Sequence, residues 1–199
     1  MAPLAVTLAP DPFPLRFAEV VAFRGDFDNI KPNELVCPKG VAYSAALDRI
    51  LVSLTPEPDA TGRQQLLTAV ARDGSRMPFA PRYRSYIDIE SLLAVVPAAG
   101  PPIVAGFTAG DVFVGRGPTD QISRLSGTGN VIADLFVDLG TGQWPWGGLT
   151  FDTHGAFGGR LIVQTDRGKI LLVGSDGSKS QLADLGRRLE GLEVAPAGF

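Results

Sequence analysis

Short apolar runs separated by Gly- and Asp-rich turns make up most of the chain, and their order recurs. The clearest stretch is Gly147–Phe199, which reads GGLTFD, THGAFGG, RLIVQTD, RGKILLVGSDGSKS, QLADLG and RRLEGLEVAPAGF. Within it, Gly148-Leu149-Thr150-Phe151 returns as Gly191-Leu192-Glu193-Val194. Val112-Phe113-Val114 matches Leu161-Ile162-Val163 at a spacing of 49, Ile122 matches Ile170 at 48, and Asp138-Leu139-Gly140 matches Asp184-Leu185-Gly186 at 46. Asp73-Gly74-Ser75 and Asp176-Gly177-Ser178 stand 103 apart, close to two such periods. A period near fifty that keeps its turns in phase marks a structural repeat.

The runs predict strands. Gly40–Tyr43, Ile50–Thr55 and Gln64–Ala71 open the first unit, with Asp73-Gly74-Ser75 as a hairpin turn, because Asp-Gly supplies the positive φ angles such turns need. A fourth strand is expected near Arg84–Ile89, and Ile89–Val96 fits either a strand or a helical turn. Pro101–Phe107 is expected to open the second unit, followed by Asp111–Gly115, Gln121–Leu125 and Val131–Leu139. The third unit spans Gly148–Glu190, and a fourth begins at Gly191. The expected division is a Pro-rich arm over Met1–Pro14, then a partial repeat array over Leu15–Phe199 with units near 40–100, 101–147, 148–190 and 191–199.

Four strands per fifty-residue unit, with Gly-rich turns, are the pattern of a β-propeller blade. One twisted sheet cannot bury both faces alone, so blades pack side by side around an axis. Strands covered on both faces are apolar without clean alternation, as ILVSL, DVFVG and ILLV are. A β-sandwich of ordinary hairpins is the competing all-β architecture, but it does not require the spacings to recur. The runs PKGVAYSAALDRILVSL and GGLTFDTHGAFGGRLIVQTDRGKILLVGSDG resemble blades of the NHL-type and SMP-30/gluconolactonase-like six-bladed propellers. The resemblance covers residues 40–199, with 75–100 matching least well. It implies a ring of which about three blades are present. Either the chain is a piece of a longer propeller, or two copies associate as a homodimer that completes the ring.

Composition narrows the partners. Apolar residues make up 45% of the 199 positions and charged residues 20%, which suits a soluble globular protein. A net charge of −3 with scattered basic residues argues against nucleic acid. No apolar run approaches a membrane span of about 20 residues, and Met1–Pro14 lacks the basic start and unbroken apolar core of a signal peptide. One cysteine (Cys37) and one histidine (His154) leave no internal disulfide and no Cys/His zinc site.

In a blade, the loops between strands two and three share one end with the connections from strand four to the next blade. Loops from every blade converge there, so that end usually hosts ligands. It is expected to carry Pro56–Arg63, Arg116–Asp120, Thr141–Gly147, Asp166-Arg167 and Arg187–Glu190. Trp144 and Trp146 flank a proline and offer a rigid aromatic surface for a sugar, peptide or planar ligand, with Asp166 and Arg167 beside them. The competing reading is that the tryptophans plug the gap between blades. His154 falls in a turn at the opposite end with no Ser or Cys partner in recognisable spacing, and Asp152 reads as a turn-initiating residue. No catalytic constellation, nucleophile elbow or phosphate loop is present.

The lactonase-like resemblance implies a divalent cation held by oxygen ligands at the channel mouth, for which calcium is suited. Asp26, Asp28, Asn29, Asn33 and Glu34 form the polar cluster that could contribute, yet they lack the spacing of a calcium-binding loop. The residues therefore favour a non-catalytic propeller module that binds a small molecule or protein on its loop face, with no bound cofactor. A metal-dependent hydrolase or lactonase is the alternative.

Overall fold

A computed structural model of the chain describes residues 38–54, 67–83, 92–98, 106–116, 119–188 and 190–195. Within them, twelve strands form three four-stranded antiparallel sheets. The first holds β1 (Pro38–Ser44), β2 (Arg49–Leu54), β3 (Leu67–Val70) and β4 (Arg76–Phe79); the second holds β5 (Leu93–Val95), β6 (Val112–Gly115), β7 (Gln121–Leu125) and β8 (Val131–Asp138); the third holds β9 (Gly148–Phe151), β10 (Leu161–Gln164), β11 (Lys169–Val173) and β12 (Lys179–Asp184). Each sheet is a meander in which every strand pairs with the next in sequence. First strands adjoin, β1 beside β5 and β5 beside β9, which is the arrangement of blades about a common axis. The fold is all-β and forms part of a propeller ring.

The repeat is visible in the turns that close strands three and four. Ala71 N–H donates to Ser75 O, Ser126 N–H to Asn130 O and Gly174 N–H to Ser178 O, at 2.9, 2.8 and 2.8 Å. Each turn places a glycine in the left-handed region, with φ of 81° at Gly74, 84° at Gly129 and 79° at Gly177. A side chain there costs free energy because Cβ crowds the backbone. The Asp-Leu-Gly echo is equally literal: Gly140 N–H donates to Asp138 Oδ1 at 2.7 Å, and Gly186 N–H to Asp184 Oδ1 at 2.9 Å.

Two apolar layers lie between the sheets. Leu51, Leu67, Phe79, Tyr83, Leu93, Val112, Val114 and Leu125 fill the layer between the first and second. Phe107, Phe113, Ile122, Val137, Phe151, Leu161, Val163 and Val173 fill the layer between the second and third. Strand β6 is buried at all four positions because Val112 and Val114 serve one layer and Phe113 the other. This is why DVFVG is unbroken by polar residues.

Three expectations change. The first strand of the second sheet is β5 (Leu93–Val95); Phe107 lies in the loop before β6, and Pro101–Ala105 fall outside the described residues. Phe107 is recruited by the core, its ring 5.3 Å from that of Phe113 and 5.1 Å from that of Phe151, both edge to face. The fourth strand of the first sheet is β4 (Arg76–Phe79), directly after the hairpin turn, whereas Arg84–Ile89 fall outside the described residues. Residues 190–195 form no strand. They nevertheless lie along β9, with Gly191 N–H donating to Gly147 O at 2.9 Å. A Cβ added to Gly148 would stand 2.5 Å from that of Leu192. Gly40 of β1 meets β5 similarly, its added Cβ falling 3.0 Å from the backbone N of Leu93. Leu192 therefore holds, against β9, the place that β5 holds against β1. With no second strand beside it among the described residues, the segment has no ladder to join.

Candidate functional site

The 139–147 connection from β8 to β9 is held down by carboxylates from two neighbouring loops. Asp120, in the β6–β7 loop, accepts from Gly142 N–H and Gln143 N–H, both at 2.9 Å. Asp166, in the β10–β11 loop, accepts from Trp144 N–H at 2.9 Å, and its own N–H donates to Trp144 O at 2.9 Å. Hydrogen bonds from N–H groups to an ionised carboxylate are among the stronger kind. Beneath the connection, Thr165 Oγ1 donates to Gln143 Oε1 at 3.0 Å in a buried contact. Pro145 seats on Gly115, where an added Cβ would come within 3.0 Å of the proline ring.

This anchoring presents both tryptophans together. The rings of Trp144 and Trp146 are 4.5 Å apart at a tilt of 52°, and both are half-buried. The Arg188 guanidinium sits 5.5 Å from the Trp146 ring centroid and pairs with Glu190 at 2.8 Å. Arg167 is exposed, and its guanidinium lies over Gly142, where an added Cβ would approach Nη2 to 2.7 Å. Gly142 adopts φ 69° and carries no side chain, so the space is open to the arginine.

The four residues singled out from the sequence, Trp144, Trp146, Asp166 and Arg167, thus stand on two adjoining loops at one end of the sheets. The structure gives Asp166 a second character: its carboxylate fixes the backbone of Trp144. Arg188 and Asp120 lie in loops expected on this face, Arg187–Glu190 and Arg116–Asp120, but are not among the residues singled out there. The Arg187-Arg188 doublet was a visible signal for the first, whereas Asp120 acts on residues 22 and 23 positions away and leaves no local pattern. Residues 56–63 of the same expected face fall outside the described residues.

The opposite end is organised differently. His154 is exposed in the β9–β10 turn, and its N–H donates to Asp152 Oδ1 at 3.3 Å. Asp152 is fully buried and also accepts from Ala156, Phe157 and Gly159 N–H at 3.2, 2.6 and 3.0 Å. Burial pushes its carboxyl upward, but the backbone donors, Gly159 and Phe157 foremost, outweigh burial and hold it below the ordinary carboxylate range. At the same end of the first sheet, Arg72 and Tyr43 both bond Asp48 and lower its carboxyl.

Among the described residues, no three His, Cys, Asp or Glu side chains are grouped as a cation site. Asp26, Asp28, Asn29, Asn33 and Glu34 fall outside the described residues. No helix among the described residues is long and apolar enough to cross a membrane.

The fold has solved counterparts. Virginiamycin B lyase from Staphylococcus aureus superposes with a TM-score of 0.52 at 13% identity, covering 78% of this chain and 44% of that one. Its catalytically inactive variant with quinupristin gives 0.50 at 14%, covering 79% and 45%. A calcium-binding regucalcin from Agrobacterium tumefaciens gives 0.44 at 13%, covering 76% and 61%. At such identities the likeness to the lyases is one of fold alone, and this chain spans under half the lyase length. No family model matches the chain, and no curated protein matches it by sequence.

Proposed function

We propose that the chain is a non-catalytic propeller module whose loop face binds a small molecule or a partner side chain through the Trp144–Trp146 connection. The observation that carries this reading is the anchored tryptophan pair. Two large aromatic rings remain half-buried while the backbone beneath them is held by Asp120 and Asp166. A rigid, partly exposed aromatic pair loses little conformational entropy on binding, and aromatic residues are the usual centres of binding energy. The carboxylates beside the rings are engaged by backbone N–H groups, which suits support of a surface better than proton transfer. The metal-dependent hydrolase alternative rests on the propeller resemblance, and the polar cluster that could contribute ligands to it, Asp26, Asp28, Asn29, Asn33 and Glu34, lies outside the described residues.

The test uses a built-in reporter, because Trp144 and Trp146 are the only tryptophans in the protein. Titrating the protein with 2-naphthalenemethanol, an uncharged planar probe, should change tryptophan emission saturably. Trp144→Phe should weaken the probe's binding while leaving the urea midpoint nearly unchanged. An emission that never responds to the probe would refute the reading.

A further inference from the structure

Building on that reading, we infer that the ligand of the tryptophan loop carries an anionic group beside its planar part, taken up by Arg167. Each nearby carboxylate already has partners: Asp120 takes Gly142 and Gln143 N–H, Asp166 takes Trp144 N–H, and Glu190 takes Arg188. Arg188 is engaged in turn by Glu190 and by the Trp146 ring.

Arg167 differs from them. It is exposed, it forms no ion pair among the described residues, and its guanidinium is set over the side-chain-free Gly142, two positions before Trp144. Arg187 is likewise exposed without an ion pair among the described residues, and its backbone abuts Gly168, the residue after Arg167. The nearby carboxylates are thus tied to the backbone or to Arg188, while two exposed guanidinium groups beside the rings have no ion pair among the described residues. A guanidinium offers a planar fork of N–H donors matched to the paired oxygens of a carboxylate, sulfonate or phosphate. Trp144 would meet the ring of such a ligand and Arg167 its charge.

The tilt of the rings adds a constraint. At 52° they do not form one flat platform, and Trp146 already carries the Arg188 guanidinium. Trp144 is thus the more available ring, and it is also the one whose backbone is tied to Asp166, the neighbour of Arg167. Trp144 and Asp166 exchange two hydrogen bonds, so the backbones that carry the ring and the cation are fixed side by side before ligand arrives.

The experiment compares naphthalene-2-sulfonate with the neutral 2-naphthalenemethanol by tryptophan emission, in the intact protein at low salt. The sulfonate should bind about fivefold more tightly, the scale of one exposed ion pair, and the advantage should shrink in 0.5 M salt. Arg167→Gln should erase the difference while leaving the affinity for the alcohol unchanged, and Arg167→Lys should restore part of it. Equal affinity for the two probes, or an advantage that survives Arg167→Gln, overturns the anionic inference and leaves the aromatic reading standing. Failure of both probes to bind refutes the aromatic reading itself.

Discussion

Asp152 gives the sharpest test of how one side chain holds a loop of this fold. Its carboxylate is fully buried and gathers four backbone N–H groups of the β9–β10 turn, at 2.6, 3.0, 3.2 and 3.3 Å. Replacing it with alanine leaves those donors without an acceptor. The two longer bonds, to His154 and Ala156, belong to exposed residues where water can take over. The short bond from Phe157 and the buried one from Gly159 have less recourse to solvent. At about 1.5–2 kcal/mol for each hydrogen bond to a charged acceptor, Asp152→Ala should cost about 3–4 kcal/mol. With a urea slope of about 2 kcal/mol per molar, the midpoint should fall by about 1.5–2 M, read by far-ultraviolet circular dichroism. Asp152→Asn keeps one acceptor oxygen but loses the charge, so its cost should be intermediate.

The pH dependence adds an independent check. The folded carboxyl titrates below its unfolded value of about 4, so the ionised group contributes stability that is fully present above that value. That contribution is lost as pH falls through the depressed folded value. The stability gap between wild type and Asp152→Asn should therefore be constant from pH 7 to about 5 and narrow below about 4. A gap that stays flat down to pH 3, or an alanine cost under about 1 kcal/mol, would show that the turn does not depend on this carboxylate. The tryptophan emission of the folded variant should match wild type, since the turn lies at the end away from Trp144 and Trp146.

Two further substitutions probe the frame. Phe113→Ala removes a fully buried ring that contacts Phe107, Phe136 and Phe151, and should cost about 3–5 kcal/mol in the same urea assay; a cost below 1 kcal/mol would mean that the layer between the second and third sheets is not close-packed. Gly168→Ala combines φ of 81° with an added Cβ only 2.2 Å from Arg187 O. It should cost more than about 2 kcal/mol and shift tryptophan emission as 185–188 move away from the Trp146 ring, whereas a neutral result would mean that the loop and the Arg187 segment are not in contact.

What could be read from the sequence was what repeats. The Asp73-Gly74-Ser75 and Asp176-Gly177-Ser178 turns were legible because a positive φ angle has a strong residue signature, and the structure gives both the same hydrogen bond, from the serine N–H to the aspartate at 2.9 Å. Gln121–Leu125 was legible because Gly and Asp turns bound it closely on both sides. Arg76–Phe79 was missed because it is only four residues long and contains Pro78, which an outermost strand tolerates since one of its edges needs no donor. Leu93–Val95 was obscured because it is three residues inside an apolar run, where periodicity does not separate strand from helix. At the loop face, the tryptophans stood out by residue type alone. The carboxylates that hold them were hidden, because Asp120 and Asp166 act across loops some twenty residues apart in the chain.

The middle sheet has one more consequence. Its two faces serve separate apolar layers, and among the described residues strands β5–β8 lie between them. Such a stack behaves as a short chain of coupled units, each stabilised by the neighbours it touches. Amide protons of β6 should then be the last to exchange with solvent, because releasing them requires both layers to open. Loosening of the first sheet leaves Phe113 and its aromatic neighbours packed. The tryptophan loop, built on the second and third sheets, can thus outlast the first sheet.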